Sequence, residues 1–555
     1  MDQELSPEAR EIIDDILESE TSVSSLGYPF ISHTAFKKFL TNIPHLFCNG
    51  QRILEYLTSK KIEKESEKRA RNVLKQIVLT ANITAPSDLW LLKHLITIHQ
   101  KIGSIKQIIE QPLVIESFSK KNSINENLLR LDFDFFESRG LFQKRIDGAF
   151  IIDESQHIRE LLTELTPYPA NIPIDIVEII NSSINNPEGA AKQALGNILL
   201  PKKSRYLPTD WRPGVSEVEI GASLLPVILA LSMGDTKPSQ NMKKLQNLNS
   251  LPDDVIAVLK MAAVIDSKAT PTLLGQRVLD RAHGPFGIIH AYHTYLNQHE
   301  YKLRGQATKT WVQRDANVAA SQAANAKTFA NANDALDQYV KDTGYKYKVF
   351  LEHAIGQGEA TRQRFERSGN ITKYFGADLE EAAIERAIIE QNNGRLPKAM
   401  KFIRNADIGK PEIVIDFLKS QGLLGENIVM MVGNGFHEIR EQTDEKIKKI
   451  FEGYRKANIL IIFTEESALS TQDLIATGFN TYHSGFRYVH ELSGQGLRPD
   501  LSNPDNSRAS WPQCIEASGY KLLVKYTKHG RTIYPYPRPD GHNPAISVTY
   551  FCAPD

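Results

Sequence analysis

Cysteine is scarce in this sequence, and neither sign of charge is in excess. The 555 residues include three cysteines, Cys48, Cys514 and Cys552, which are too few and too scattered for a disulfide framework or a zinc cluster. The 66 basic residues equal the 66 acidic ones, so no surplus charge favours binding to nucleic acid or to an anionic membrane. These deficits predict a reduced cytoplasmic protein that binds neither nucleic acid nor membrane.

Long apolar runs are scarce as well, and the first residues do not resemble a secretory leader. Residues 222–233 form the most apolar stretch, which is too short to span a bilayer and predicts a buried helix. The first residues are acidic and lack the basic start and apolar core of a signal peptide. With 41% hydrophobic and 24% charged residues, the composition is that of a globular protein.

Residues 1–165 are predicted to form a helical domain. Pro86, followed by polar residues that can cap a helix, predicts a helix start. Residues 128–140 predict an amphipathic helix, and residues 141–152 predict two short strands around an Asp147-Gly148 turn. This is the shape of a winged helix, although any helix and hairpin in a helical domain would give the same pattern. The acidic residues of the helix argue against DNA binding.

Two more helical segments lead to the second half of the chain. Residues 166–300 are interrupted by prolines and predict a helical middle or lid region. Residues 301–344 predict a connector helix, because residues 311–340 are rich in alanine and contain neither glycine nor proline. The helical N-terminal half is a candidate lid or homodimer interface.

From residue 345 to residue 555, apolar strands alternate with helices. This alternation predicts an α/β fold with a parallel sheet covered on both faces and closed by an antiparallel final hairpin. The predicted strands lie in YKVFLEHAI, ITKYFGADL, MKFIRNADI, NIVMMVGNG, ANILIIFTEE, YKLLVKYTK and ISVTYFCAP. In such a sheet, ligands bind at the carboxyl ends of the strands, where the strand order reverses.

The first strand of this sheet ends in a turn of small residues. It runs into Glu352, after which Ala354, Gly356 and Gly358 occupy every second position. Such small residues let the backbone turn sharply and approach a ligand closely. The turn is therefore a candidate binding site for a nucleotide-like cofactor.

The next two strands each end beside an acidic residue. Asp378, followed by Leu379, comes about twenty residues after the last glycine of the turn, where an acid can accept hydrogen bonds from two ribose hydroxyls. The third strand ends in Asn405, Ala406 and Asp407, and the carboxylate of Asp407 can meet an adenine amino group. A small-residue turn and two acids at successive strand ends predict an adenosine cofactor.

This set of residues resembles class I S-adenosylmethionine-dependent methyltransferases. It differs from the usual dinucleotide fingerprint because Ala354 takes the first glycine position and the acidic Glu352 precedes the turn. The resemblance covers residues 345–555 and implies a Rossmann-like fold that binds S-adenosylmethionine, with Glu352 near the methionine amino group and Gly433 also beside the cofactor. NAD binding is the alternative for this turn.

The fourth predicted strand ends in the sequence VGNGFHE. A lone histidine there can be a satisfied core or cap residue. The stretch, however, resembles the Asn-x-x-His motif of C-methyltransferase domains in polyketide synthases, with Asn434 and His437 at the matching positions. The resemblance implies that His437 acts as a catalytic base, supported by a glutamate at the end of the fifth strand, which is either Glu465 or Glu466.

A second histidine-containing segment follows at residues 481–499. It resembles iron- or manganese-dependent C-methyltransferases, which implies that His437, His490 and Gln495 are metal ligands. The alternative is that His490 and Gln495 line a substrate loop or cap a helix.

Four residues are predicted to contact the substrate. Tyr482 and His483 belong to the segment just described, and Arg498 or Arg314 could hold a substrate carboxylate through a bidentate pair. Both arginines could equally be surface residues.

Together these patterns predict C-methylation of an enolisable carbonyl substrate, as in polyketide or other natural-product biosynthesis. The substrate would be a malonyl or β-keto thioester, free or attached to a carrier protein, or an α-keto acid. A metal ion or the His–Glu pair would stabilise or generate the enolate. Two alternatives stay open: an oxygen, nitrogen or protein methyltransferase without metal, and a non-catalytic interaction protein that senses the cofactor.

Overall fold

The computed structural model describes most of the chain. The described residues are 5–19, 31–168, 176–185, 195–196, 198–232, 251–306, 310, 312, 314–367, 371–499, 508–530, 532–534 and 543–554, with the backbone alone for 314–325. The chain divides into two compact units. The helical unit falls within residues 1–313, 471–493 and 534–541, and the sheet unit falls within residues 314–470, 494–533 and 542–555. The predicted four-part division of the chain stays a prediction.

Among the residues that the structure describes, the helical unit contains α-helices and a short hairpin. Its helices are Pro7–Ser19, His33–Asn42, Gly50–Ser59, Glu65–Ile102, Ser104–Glu110, Ile115–Asn122, Glu126–Ser138, Gln156–Glu164, Ile176–Asn185, Val215–Ser232, Asp253–Met261, Leu273–Arg281, His283–His290, His293–Asn297, His299–Leu303, Thr471–Thr477 and His483–Leu492. The last two show that the segment after the fifth predicted strand belongs to this unit.

The centre of the helical unit is a pair of buried helices. Helix Val215–Ser232 is long and apolar enough to cross a membrane by length and composition, but 83% of it is buried inside the protein. The predicted burial of this stretch is thereby confirmed. Gly221 lies so close to the side chain of Leu89 that a Cβ atom at this position would overlap it.

The partner helix, Glu65–Ile102, continues through Pro86, so the helix start predicted at this proline is wrong. A proline inside a helix costs about 3 kcal/mol. The helix is buried on all sides around Pro86, and this packing outweighs the local cost.

The predicted helix and hairpin are both present in the helical unit. Helix Glu126–Ser138 is followed by antiparallel strands β1 (Phe142–Lys144) and β2 (Phe150–Ile152). Gly148 takes a φ of 81° in the turn between them, a conformation that glycine adopts without strain.

A buried polar cluster lies beneath the same helix. The carboxylate of Asp132 accepts hydrogen bonds from His99 Nε2 at 2.9 Å, from His299 Nε2 at 2.8 Å and from the Tyr488 hydroxyl at 2.7 Å. Asp132 and both histidines are fully buried. Burial alone would raise the pKa of Asp132, but the two histidines hold it below its ordinary value.

The sheet unit is built on one mixed β-sheet. Its strands are β3 (Val349–His353), β4 (Lys373–Ala377), β5 (Lys401–Ile403), β6 (Ile428–Gly433), β7 (Ile459–Ala468), β8 (Arg498–Pro499), β9 (Lys521–Leu522), β10 (Lys528–His529) and β11 (Ser547–Ala553). The main strand order is β10-β11-β7-β6-β3-β4-β5, with β8 beside β7 and β9 beside β11. Strands β3 to β7 are parallel, and β11 runs antiparallel between β7 and β10.

Helices cover both faces of this sheet. They are Arg314–Thr343, Glu359–Arg367, Glu381–Asn392, Pro411–Ser420, Asp444–Lys456 and Trp511–Ala517. Successive strand residues enter opposite hydrophobic cores: Leu351 and Met430 belong to one core, and Phe350 and Val429 to the other. The near-continuous apolar strands follow from this burial on both faces. The predicted Rossmann-like methyltransferase fold, with its antiparallel final strands and a helical N-terminal half, is confirmed.

Candidate active site

Three left-handed backbone turns stand at the carboxyl edge of the sheet. Ala354 follows β3 with a φ of 56°, Asn405 follows β5 with 53°, and Asn434 follows β6 with 52°. Asparagine tolerates this conformation, whereas alanine is strained in it. Strand order reverses at β3, between β4 and β6, so these turns surround the position where α/β sheets bind ligands.

Glu352 shapes the turn that follows β3. Its buried carboxylate accepts hydrogen bonds from the backbone N–H groups of Ala360 at 3.2 Å and Thr361 at 2.7 Å, which begin the next helix. Burial raises the pKa of Glu352 to about 7, against the lowering effect of these hydrogen bonds. Glu352 therefore stabilises the start of that helix. Its position near the methionine amino group of the cofactor stays a prediction.

Asp378 joins the turns after β3 and β5. Its Oδ2 atom accepts the N–H of Gly356 at 3.3 Å, and its backbone oxygen accepts the N–H of Ala406 at 2.9 Å. The residue is half-buried, and the neighbouring Leu379 is 46% exposed. Gly358 has a φ of 80° and packs against the side chain of Leu396, where a Cβ atom would collide.

Asp407 lies at the same edge of the sheet. Its Oδ1 atom accepts the N–H of Gly409 at 2.9 Å, and the side chain is half-buried. A strained small-residue turn tied to one partly exposed carboxylate, with a second carboxylate on the next loop, fits the adenosine part of S-adenosylmethionine. The predicted cofactor residues after β3, β4 and β5 therefore lie together, and their contacts with the cofactor stay predictions.

His353 also lies at this edge, and the sequence motif does not single it out. It is 1% exposed, and its Nδ1 atom accepts the N–H of Ala354 at 2.9 Å. Burial lowers the pKa of His353 to about 4, against the opposite effect of the Asp407 charge. The only signal in the sequence is an imidazole inside the small-residue turn motif.

The turn after β6 carries a buried histidine–glutamate pair. His437 is 4% exposed, and its Nδ1 atom lies 2.6 Å from Glu465 Oε2. The other carboxylate oxygen, Oε1, accepts the backbone N–H groups of Phe436 at 2.6 Å and His437 at 3.3 Å. Glu465 therefore fixes both the imidazole ring and the short 3₁₀ turn Phe436–Glu438 that presents it.

Carboxylates on more than one side raise the basicity of this histidine. Burial lowers the pKa of His437, but the charge and hydrogen bond of Glu465, with the charges of Glu438 and Glu466, outweigh it and raise the pKa to about 9. Glu438 Oε1 lies 3.7 Å from His437 Nε2. Gln495 donates a hydrogen bond to the other oxygen of Glu438.

Strand geometry selects between the two predicted glutamates. Glu465 and Glu466 are adjacent within β7, which extends to Ala468, so their side chains emerge on opposite faces of the sheet. Of these two glutamates, Glu465 forms a hydrogen bond with the imidazole, and Glu466 acts on it through its charge. Asn434 donates its backbone N–H to Thr464 at 2.8 Å, which fixes the start of the turn.

The histidine turn packs against the cofactor turn. A Cβ atom on Gly435 would lie 3.3 Å from the Cβ atom of Ala354, so the two loops are in close contact. Gly433 also has a close neighbour, because a Cβ atom there would overlap the ring of Phe329 from helix Arg314–Thr343. His437 is therefore held beside the loop that the family resemblance assigns to the methyl donor.

The predicted metal ligands do not fit an iron or manganese site. His490 Nδ1 donates to the Phe486 carbonyl at 2.7 Å, and its Nε2 atom lies 3.2 Å from the Tyr292 hydroxyl, so both ring nitrogens are engaged within the helical unit. Gln495 is bonded to Glu438 instead. Across the described residues, no three His, Cys, Asp or Glu side chains form a group that could hold a metal.

Arg498 makes structural contacts within the sheet unit, and its predicted contact with the substrate stays a prediction. Its fully buried guanidinium donates to Asp444 Oδ1 at 2.6 Å and to the Ala509 carbonyl at 2.7 Å. It also lies over the ring of Trp511, 5.3 Å from the centroid. These contacts fix the start of helix Asp444–Lys456.

The other predicted substrate residues are Tyr482, His483 and Arg314. Tyr482 and the buried His483 begin helix His483–Leu492 of the helical unit, where both rings pack near Phe486. The side chain of Arg314 lies outside the described part of the chain. The substrate roles of these three residues stay predictions.

Comparison with known proteins finds solved methyltransferase structures. No family model and no curated protein matches the sequence. An O-methyltransferase family 2 protein from Planctomyces limnophilus, in complex with apigenin, is 10% identical with a TM-score of 0.37, over 84% of this chain and 95% of that chain. A SAM-dependent methyltransferase from Anabaena variabilis is 14% identical with a TM-score of 0.28, over 41% of this chain and 86% of that chain. Mitomycin 7-O-methyltransferase is 10% identical with a TM-score of 0.28, over 83% of this chain and 94% of that chain. The fold assignment rests on the strand order of the sheet.

Proposed function

We propose that this chain is a methyltransferase that binds S-adenosylmethionine (SAM) and uses His437 to remove a proton from the methyl acceptor. One observation carries the proposal. The buried His437–Glu465 pair, with 2.6 Å between Nδ1 and Oε2, sits on a turn that packs against the small-residue turn after β3. A base that is oriented by a carboxylate and placed beside an adenosine site is the arrangement that proton removal and methyl transfer require.

The edge of the sheet would hold the cofactor through its acids and backbone. Asp378 would accept hydrogen bonds from the ribose hydroxyls, and Asp407 would accept one from the adenine amino group. Both carboxylates are half-buried, and backbone N–H groups fix both oxygens of Asp378 and one oxygen of Asp407, which preorganises them. When bound, SAM supplies an electrophilic methyl group and departs as the neutral thioether S-adenosylhomocysteine (SAH).

His437 would act through its Nε2 atom. In the neutral ring, Nδ1 carries the proton that is donated to Glu465, so Nε2 is the basic nitrogen. The acceptor proton moves to Nε2, and the electron pair left on the acceptor forms the bond to the methyl carbon. Glu465 stabilises the imidazolium that results, as the carboxylate does in other His–carboxylate pairs.

The basicity of His437 indicates the class of acceptor. The carboxylates around His437 raise its pKa to about 9, so the neutral ring is a stronger base than an ordinary imidazole and can accept the proton of a weak acid such as a phenol, whose pKa is about 10. We therefore propose a weakly acidic hydroxyl group, phenolic or enolic, as the acceptor. The same pair could deprotonate the carbon of a β-keto thioester, so metal-free C-methylation is the second candidate. A malonyl group or an α-keto acid that needs a metal has less support, because the predicted ligands do not fit one.

Titration of the purified chain with SAH tests the first part of the proposal. Methyl transfer is then followed by NMR with ¹³C-methyl SAM and a panel of phenols, enols and β-keto thioesters. The ¹³C shift of the product distinguishes a methyl on oxygen from one on carbon. We expect His437→Gln to bind SAH as wild type does and to lose turnover by about 10²-fold or more. His529→Gln, which changes an exposed histidine on β10, should keep both.

The outcomes separate the competing functions. Failure of the wild-type chain to bind SAH would reject the proposal. Tight SAH binding without turnover on any acceptor would favour a cofactor-sensing protein. Turnover that is lost on chelation and restored by iron or manganese would show that the metal-free mechanism is wrong.

A further inference from the structure

His353 is a buried polar residue that the proposed mechanism does not use. It ends β3, directly before the strained turn at Ala354, and it is 1% exposed. Its Nε2 atom has no hydrogen-bond partner among the residues that the structure describes. A buried polar atom without a hydrogen-bond partner destabilises the folded state unless a ligand or a water molecule pairs with it, so its position indicates a function.

The hydrogen bond on the other nitrogen fixes the tautomer of this ring. Nδ1 accepts the backbone N–H of Ala354 at 2.9 Å, so it cannot carry a proton. Burial lowers the pKa of His353 to about 4, and the ring is therefore neutral near pH 7. A neutral imidazole has one N–H group, which must be at Nε2. The unpartnered atom is thus a hydrogen-bond donor.

The surroundings of His353 place the residue at the carboxyl edge of the sheet. The negative charge of Asp407, at the carboxyl end of β5, acts on the imidazole. A Cβ atom on Gly435 would lie 3.3 Å from both Ala354 Cβ and Ile408 Cδ1, so the turns after β3, β5 and β6 meet next to His353. These are the turns to which the proposed function assigns the adenosine.

We infer that the Nε2–H group of His353 donates a hydrogen bond to the adenosine part of the cofactor, either to a ring nitrogen or to a ribose oxygen. The inference rests on the proposed function. It adds a donor to a site whose assigned side chains, Asp378 and Asp407, are acceptors. Acceptors alone recognise the amino and hydroxyl groups of adenosine, whereas a donor recognises its unprotonated ring nitrogens or an oxygen lone pair. His353 would therefore act as a positioning residue.

Two near-isosteric substitutions separate the functions of the two ring nitrogens. Asparagine can place an oxygen near the position of Nδ1 but has no group that reaches the position of Nε2. Glutamine reaches the position of Nε2 with an N–H donor. In SAH titrations of the full chain, we expect His353→Asn to bind about tenfold or more weakly and His353→Gln to bind within about threefold of wild type. His157→Asn, at a 2% exposed histidine of the helical unit, is the matched control and should bind as wild type does.

Cofactor analogues identify the acceptor and do not depend on the stability of any variant. The probes are SAH analogues that lack one ring nitrogen (1-deaza, 3-deaza and 7-deaza) or one ribose hydroxyl. One analogue should bind wild type about tenfold more weakly than SAH does. The same analogue should bind His353→Asn with the affinity that it has for wild type, because the hydrogen bond is already missing in both complexes. The inference is overturned if no analogue loses affinity in wild type, or if His353→Asn binds SAH as tightly as wild type. Absence of SAH binding by wild type would instead reject the proposed function.

Discussion

The Nδ1 atom of His437 lies 2.6 Å from Glu465 Oε2, while Glu465 Oε1 accepts the backbone N–H groups of Phe436 and His437. One carboxylate therefore holds both the ring and the main chain that carries it. Gln442 reinforces the turn by donating to the Phe436 and His437 carbonyls at 3.2 and 3.1 Å. This arrangement fixes the direction of the imidazole before any acceptor binds, which is what a general base requires.

The substitution Glu465→Gln should remove the base without removing the turn. The amide oxygen of the introduced side chain would still accept the two backbone N–H groups, so its NH₂ group would face Nδ1 of His437. The ring would then have to accept at Nδ1 and carry its proton at Nε2, where it could not take one from the acceptor. We expect kcat to fall by about 10²-fold or more, with SAH affinity within a few-fold of wild type.

The neighbouring substitution Glu466→Gln is the matched control for this experiment. It makes the same chemical change one residue along β7, on the opposite face of the sheet. We expect only a few-fold change in kcat, because Glu466 acts on His437 through its charge alone. Equal losses in the two variants would show that the pairing of Glu465 with His437 does not matter for turnover.

The rate of methyl transfer should depend on pH through His437. Burial lowers its pKa, and Glu465 with the nearby carboxylates raises it to about 9 overall. The base must be neutral, so kcat/KM should rise between pH 7 and about 9 and level off above. The substitution Glu465→Gln should move any remaining rise to lower pH. A flat profile from pH 6 to 10 in wild type would contradict this role for His437.

The same pKa predicts how stability changes with pH. The folded state binds the His437 proton more tightly than the unfolded chain, whose histidine pKa is about 6.5. The stabilisation is therefore complete below pH 6.5 and is lost as the pH rises towards about 9. Thermal unfolding of wild type should show this decline, and His437→Gln should show a smaller one.

Much of the sheet unit follows from local patterns. Each parallel strand is an apolar run, since both faces of the sheet are covered, and each is bounded by polar or glycine-rich segments. The final hairpin is less regular. The predicted strand YKLLVKYTK is divided into β9 and β10 by the 3₁₀ turn Val524–Tyr526, and each piece pairs with β11.

The site is harder to predict because its contacts are long-range. Sequence alone places two glutamates near the end of β7, but the choice of Glu465 depends on which face of the sheet carries the histidine turn. The ion pair of Arg498 with Asp444 also joins residues that are distant in sequence. His490 looks like a metal ligand until Tyr292, far away in sequence, is seen at its Nε2 atom.

The substitution Asp378→Asn should weaken cofactor binding. Its oxygens hold the turn through Gly356 N–H at 3.3 Å and would receive the ribose hydroxyls. Hydrogen bonds to a charged acceptor contribute about 1.5–3 kcal/mol, so we expect SAH to bind about tenfold to a hundredfold more weakly. Asp416→Asn, at an exposed position of helix Pro411–Ser420, is the control and should leave the affinity unchanged. Unchanged SAH affinity in Asp378→Asn would place the ribose elsewhere.

The substitution Asp132→Asn should destabilise the helical unit. Asp132 accepts hydrogen bonds from His99, His299 and Tyr488, and the two histidines hold its pKa below the ordinary value despite its burial. An amide NH₂ group in this place would face existing N–H donors, and the loss of a buried ionic partner costs about 3–5 kcal/mol. Hydrogen exchange in helix Glu126–Ser138 should therefore accelerate by about a hundredfold or more. Asp280→Asn, on the exposed side of helix Leu273–Arg281, should change it little.

Because the pKa of Asp132 is lowered, its stabilisation is present above about pH 4 and is lost only as the pH falls further. The difference between Asp132→Asn and wild type should accordingly shrink in acid, and a difference that stays constant down to pH 2 would show that the charge of Asp132 is not what stabilises this cluster.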